Sequence, residues 1–154
     1  MIDGDLRKPS IHRSFQISNR VGLTNLLIRQ AQLDYVIQKM PGIELYLLTS
    51  GPVPPNPAEL LGSQRMKELL EELKAQYDMV LIDTPPLLAV TDAQLLASYV
   101  DGVLLVLGSG KVLRDHEKKA KALLDHVGAN VVGAVLNKKQ MNSESYYYYY
   151  YGEK

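Results

Sequence analysis

Apolar residues recur along the chain in two rhythms. Met79-Val80-Leu81-Ile82 is a continuous run ended by Asp83 and then by Thr84-Pro85-Pro86. Four apolar residues stopped by prolines suit a strand buried on both faces of a parallel sheet. Residues 43–48 alternate as a strand does, residues 102–107 and 131–136 are further apolar runs of strand length, and residues 1–3 read as a strand's last residues. Between these runs the spacing becomes helical. Leu23, Leu26 and Leu27 stand at i, i+3 and i+4 and predict a helix over 21–29, with a shorter one around 9–15. Leu69, Leu73 and Tyr77 share a face with Leu70 beside them, while Glu68, Glu71, Glu72 and Lys74 make the wet side. Ahead of that helix Asn56 offers a cap, Pro57 a first helical position and Glu59 a capping box. Thr91 or Asp92 caps a helix through Tyr99, and residues 112–127 predict a third long helix closed by Gly128. Strands alternating with helices imply right-handed βαβ units and a doubly wound, mostly parallel α/β sheet.

Composition narrows this picture. The 154 residues are 46% hydrophobic, enough for a core at single-domain length. Seventeen basic residues balance seventeen acidic ones, so charge gives no argument for nucleic acid as a partner. The chain has no cysteine, which excludes disulfides, thiolate nucleophiles and cysteine zinc sites, and fits a reducing cytoplasm. No apolar run approaches the roughly 20 residues that span a bilayer. Residues 138–154 are polar until six consecutive tyrosines, Tyr146, Tyr147, Tyr148, Tyr149, Tyr150 and Tyr151, and read as a tail after a domain over 1–137.

The candidate chemistry lies at strand ends. Ligands of open α/β sheets sit beyond the carboxyl ends of the strands, where Asp83 falls, and a strand-end aspartate there commonly holds Mg²⁺ on a nucleotide phosphate. Taken alone it is a turn or cap aspartate. A second such motif opens the chain: Asp3-Gly4-Asp5-Leu6-Arg7-Lys8-Pro9, whose two carboxylates can share a metal or divide base and ligand roles. Gly108-Ser109-Gly110-Lys111 has the context of a phosphate loop but not its pattern. Leu105 stands where the first glycine belongs and Val112 where Ser or Thr belongs, so a surface turn is the better reading. His12, His116 and His126 have neither an i, i+4 histidine partner nor cysteine company for zinc.

Together these stretches resemble the cytoplasmic kinase domain of bacterial tyrosine kinases of capsular and exopolysaccharide synthesis. Residues 2–9 match that family's second Walker-type motif, called A′, and residues 80–86 its Walker B motif. Gly51-Pro52-Val53-Pro54-Pro55-Asn56-Pro57-Ala58-Glu59-Leu60-Leu61 matches a distinctive family stretch, and the tyrosine cluster matches its autophosphorylation tail. The resemblance implies a P-loop NTPase-type sheet lacking its N-terminal side, because the family's Walker A loop lies several tens of residues before A′. It implies ATP and Mg²⁺ as cofactors, Asp5 and Asp83 on the metal, Asp3 as base for the tyrosine hydroxyl, and Asn137 where related ATPases read adenine. Tyr146 to Tyr151 would be the phosphorylated residues.

The resemblance further implies a ring of identical subunits and a membrane-embedded activator that keeps a cytoplasmic protein at the inner face of the cell membrane. Without Walker A the chain is expected to be inactive alone. Two other readings share the sheet: a positioning ATPase of the MinD and ParA type, and a non-catalytic kinase remnant acting through subunit contacts. The tyrosines and Pro54-Pro55-Asn56-Pro57 argue against the first of these. A tyrosine run is also, by composition alone, an aggregation-prone strand.

Overall fold

The structure, a computed structural model, describes residues 1–110 and 114–139. The expected tyrosine tail and Lys111 therefore fall outside the described residues. The chain divides into two compact units, Met1–Tyr99 and Val100–Lys154.

The first unit is built on a four-stranded sheet ordered β2-β3-β1-β4, where β1 is Ile2–Asp3, β2 Ile37–Lys39, β3 Tyr46–Leu48 and β4 Ile82–Asp83. β1 lies between β3 and β4 and is parallel to both, while β2 pairs antiparallel with β3. Around it run α1 (Ile11–Ser14), α2 (Leu23–Leu27), α3 (Leu33–Val36), α4 (Pro57–Leu61), α5 (Gln64–Gln76) and α6 (Asp92–Ala97). The core joins Ile2 and Leu48 of the sheet to Leu23, Leu26 and Leu27 of α2, Met66, Leu69, Leu70 and Leu73 of α5, and Leu96 of α6. The periodicity of α5 thus reports its buried face, and the glutamates opposite are exposed as expected.

Three local expectations are corrected. Residues 57–76 are two helices, because the chain leaves α4 at Gly62 and restarts at Ser63, whose hydroxyl accepts the Met66 amide at 3.2 Å. Asn56 makes no side-chain cap; its amide donates instead to the Glu59 carboxylate at 2.6 Å. Nor is the apolar run before Asp83 buried on both faces. Met79 is 73% and Leu81 55% exposed, so the face that these alternate residues share is left uncovered. The α3–β2 segment had no strong sequence signal. Its three strand residues are fixed by pairing with β3 rather than by their own pattern.

The second unit holds β5 (Val103–Gly108), α7 (Arg114–His126) and β6 (Val131–Asn137), a βαβ unit whose strands pair in parallel. Ala120 and Leu124 of α7 are buried, and Gly128 past its end takes φ 68°, a left-handed value that glycine adopts without strain. Leu104 and Val106, alternate residues and so on one face of β5, are 57% and 59% exposed.

Burial separates two kinds of leucine. Leu69→Ala is expected to cost about 2–5 kcal/mol in urea unfolding. The pair Leu104→Thr and Val106→Thr should each change stability by no more than about 0.5 kcal/mol and should lower self-association in light scattering. Equal costs at the two kinds of site would contradict this assignment of the core.

Candidate active site

Parallel pairing of β1 with β4 puts Ile2 opposite Ile82 and Asp3 opposite Asp83. Paired residues of adjacent parallel strands point to the same face with backbones about 4.8 Å apart, so the two carboxylates leave the sheet side by side at its carboxyl end. Gly4 continues the pairing: its amide donates to the Asp83 carbonyl at 2.8 Å. A Cβ at Gly4 would sit 2.7 Å from that carbonyl oxygen and 3.0 Å from Ile82 Cγ2, so glycine is what allows the approach.

Each carboxylate is held differently. Asp3 is fully buried, and its Oδ2 accepts the amides of Ser10 and Ile11 at 3.1 and 3.0 Å, tying β1 to the start of α1. Its Oδ1 is buried with no hydrogen-bond partner among the described residues. Asp5 Oδ1 accepts the amides of Arg7 and Lys8 at 3.1 and 2.9 Å, an Asx-type turn that folds the loop back on its own acid. Arg7 is part exposed but committed to an ion pair. Its Nε and Nη2 donate to both oxygens of Asp92 at 2.8 and 3.0 Å.

Burial pushes the Asp3 carboxyl above its ordinary value, against the pull of the Ile11 and Ser10 amides, and the charge of Asp5 adds to the rise. Burial likewise raises Asp83, reinforced by the charges of Asp3 and Asp5. Negative charge is therefore concentrated around one fully buried acid, Asp3, with Asp5 half-buried and Asp83 exposed beside it, an arrangement that favours an added cation. Among the described residues no group of three acids or histidines closes around a metal. The donors suit a hard ion such as Mg²⁺, which takes one or two carboxylates and keeps several waters. The orphan Oδ1 of Asp3 is an unfilled acceptor of the right chemistry.

Sequence reasoning named Asp3, Asp5 and Asp83, and pairing brings Asp3 and Asp83 together. Asn137 ends β6 in the second unit; its Oδ1 accepts the Lys138 amide at 2.8 Å. The reading missed Asp92, taken for a helix cap, because its partner lies 85 residues away. It also missed a clasp at the end of β3. There Asn19 bonds both the amide and the carbonyl of Gly51, at 2.9 and 3.0 Å, and Gly51 holds φ 75°.

With the geometry described, similarity to known proteins becomes informative. No protein-family model matches the chain. It is 47% identical over 145 residues to the tyrosine-protein kinase YwqD of Bacillus subtilis, covering 94% of this chain and 61% of YwqD. To CapB of Staphylococcus aureus it is 45% identical over 153 residues, covering 99% of this chain and 67% of CapB. The chain belongs to the bacterial tyrosine-protein kinase family. Among solved structures, the kinase domain of the Escherichia coli tyrosine kinase Etk matches with a TM-score of 0.88 and 39% identity, over 92% of this chain and 56% of that one. The MinD cell division ATPase of Pyrococcus furiosus matches at 0.70 and 22%, over 94% and 62% of the two chains, a likeness that shows the α/β P-loop NTPase fold alone. This kinase-family chain thus spans about three-fifths of YwqD's length.

Acids held above the ordinary value of 3.8 favour the folded state below that pH, and the advantage is lost as pH rises through their folded values. At neutral pH the ionised pair is therefore a cost. Asp83→Asn should raise the melting temperature near pH 7, and the gain should close as pH falls below 3.8. Thermal unfolding across that range checks it; a variant that melts below its parent at neutral pH would contradict the electrostatic account.

Proposed function

We propose that the chain forms the acidic half of an ATP-dependent protein-tyrosine kinase site that acts in capsular or exopolysaccharide synthesis. The observation that carries this reading is the register that sets Asp3 beside Asp83 at the carboxyl end of a parallel sheet, with both carboxyls raised first by desolvation, Asp3 further by the charge of Asp5 and Asp83 by the charges of Asp3 and Asp5. Asp5 and Asp83 would hold Mg²⁺. When bound, the ion neutralises charge on the phosphates of ATP and aligns them. Asp3 takes the proton of the attacking tyrosine hydroxyl, for which its unpartnered Oδ1 is the acceptor. Phosphoryl transfer asks for little more from the protein than such positioning and charge balance. In this reading residues 1–137 are the carboxyl-terminal portion of the kinase domain, Asn137 contacts adenine, and Tyr146 to Tyr151 in the tail of 138–154 receive phosphate.

The remaining features follow the family resemblance. The kinase works as a ring of identical subunits docked to a membrane-embedded activator, at the inner face of the cell membrane. No helix among the described residues is long and apolar enough to cross a membrane. The sequence holds no complete Walker A pattern, so these 154 residues alone lack the lysine and backbone amides that cradle the β- and γ-phosphates.

The purified chain with Mg²⁺ and ATP should accordingly give no anti-phosphotyrosine signal. Joined to a front segment carrying a Walker A loop, it should label its own tail. Robust signal from the chain alone, contaminating kinase excluded, would overturn the reading and return attention to residues 108–111.

Transfer should run between subunits, because a neighbour's site is easier to reach from a tail than its own. In a mixture of joined chains, one with Asp83→Asn and an intact tail and the other active but lacking residues 146–151, the Asp83→Asn chain should become phosphorylated. If it stays unmodified, transfer is not between subunits.

A further inference from the structure

We infer that Arg7 and Asp92 are a positioning pair that holds the Asp5 carboxylate in place for the cation. The proposal rests on the reading above of Asp5 and Asp83 as cation ligands and adds two residues to it. Among the described residues Asp5 is anchored by the amides of Arg7 and Lys8 on its Oδ1. Both amides belong to the loop between β1 and α1, whose conformation the short Asx-type turn alone would leave soft. Arg7 hardens it. The residue that gives Asp5 one of its two amides also sends its guanidinium to both oxygens of Asp92 in a two-bond fork.

The anchor at the other end is rigid. Asp92 is fully buried and is the first residue of α6, and Leu96 one turn on lies 3.3 Å from where a Cβ on Gly4 would stand. α6 is also the helix that follows β4 in sequence. The ion pair therefore joins the loop after one acid-bearing strand to the helix after the other, and Asp5 and Asp83 sit inside the closed circuit. Leu6, fully buried between Asp5 and Arg7, seats the loop from its apolar side.

The fork is the specific element. A lysine would supply charge but one point contact, leaving the loop free to pivot about it. Removing only the arginine strands a buried carboxylate, which by itself destabilises strongly. Informative variants must therefore keep the site neutral or charge-balanced.

The test uses the 154-residue chain, with Mn²⁺ as a spectroscopic probe for the cation and amide hydrogen exchange of Arg7 and Lys8 as the probe for the loop. Three variants are compared with the parent: Arg7→Lys, the apolar pair Arg7→Met with Asp92→Leu, and the swap Arg7→Asp with Asp92→Arg. The apolar pair should keep the core, read from unchanged exchange at Leu69 and Leu70. It should nevertheless speed exchange at Arg7 and Lys8 by about tenfold or more and weaken Mn²⁺ about five- to tenfold. Arg7→Lys should fall between it and the parent, and the swap should recover much of both losses. Parent-like exchange at Arg7 and Lys8 in the apolar pair overturns the proposal, as does parent-like Mn²⁺ affinity with the loop loosened. If the parent itself binds no Mn²⁺ while its loop amides are protected and the apolar pair loosens them, the cation reading fails and the placement of Asp5 by this pair stands.

Discussion

The parallel register of β1 against β4 is the constraint on which the rest of the molecule depends. Two strands of two residues each contribute little pairing energy, yet their alignment decides that Asp3 faces Asp83 and not solvent. It holds because Ile2, the residue before the acid, is buried in the main core with Leu48 of the neighbouring strand. A slip of one residue would turn Ile2 out and Asp3 in among leucines, so the apolar core enforces the placement of the charges. Gly4 removes the one side chain that would wedge the strands apart just beyond the acids.

Holding carboxylates this way works against stability, and the surroundings offset only part of the cost. Asp3 receives two amides on one oxygen and none on the other. Asp83 has the charges of both other acids against it. Among the described residues the forked hydrogen bonds of Arg7 go to Asp92, and Asp5 feels the guanidinium only through its charge. An arginine whose fork reached the acids themselves would have hydrogen-bonded their free oxygens and weakened the pull on a cation. Spent on Asp92, it stiffens the loop and leaves that pull in place. Functional sites are where such local conflicts are expected to survive.

What the sequence made legible follows the same division. The α/β class, the buried face of α5, the strands β5 and β6 and the helix between them were readable because each carries a sustained period or an unbroken apolar run. The acids were readable as residue types at strand ends, and the family stretches gave them roles. Their geometry was not readable. Nothing near Asp92 announces a partner at Arg7, and a polar residue before a helix reads as a cap until its hydrogen bonds are seen. Asn56 failed in that way, its amide taken by Glu59. The break at Gly62-Ser63 was passed over because the capping signals at Asn56-Pro57 already offered a start for the helix of Leu69 and Leu73. β2 was missed because three residues have no period, and only their pairing with β3 makes them a strand.

The apolar run before Asp83 is instructive because its composition and its surroundings disagree. Leu81 and Met79 are the residues of a covered strand, yet they stand exposed beside an edge. The carbonyls of Leu81 and Asp83 bond to β1, so the backbone groups of Ile82, between them, face the other edge. That edge ends at Asp83. A strand added there would desolvate the end of β4, and burial is already the leading reason that the Asp83 carboxyl is raised. Covering the edge would thus sharpen the need for a cation, and a bound cation would ease the cost of covering it.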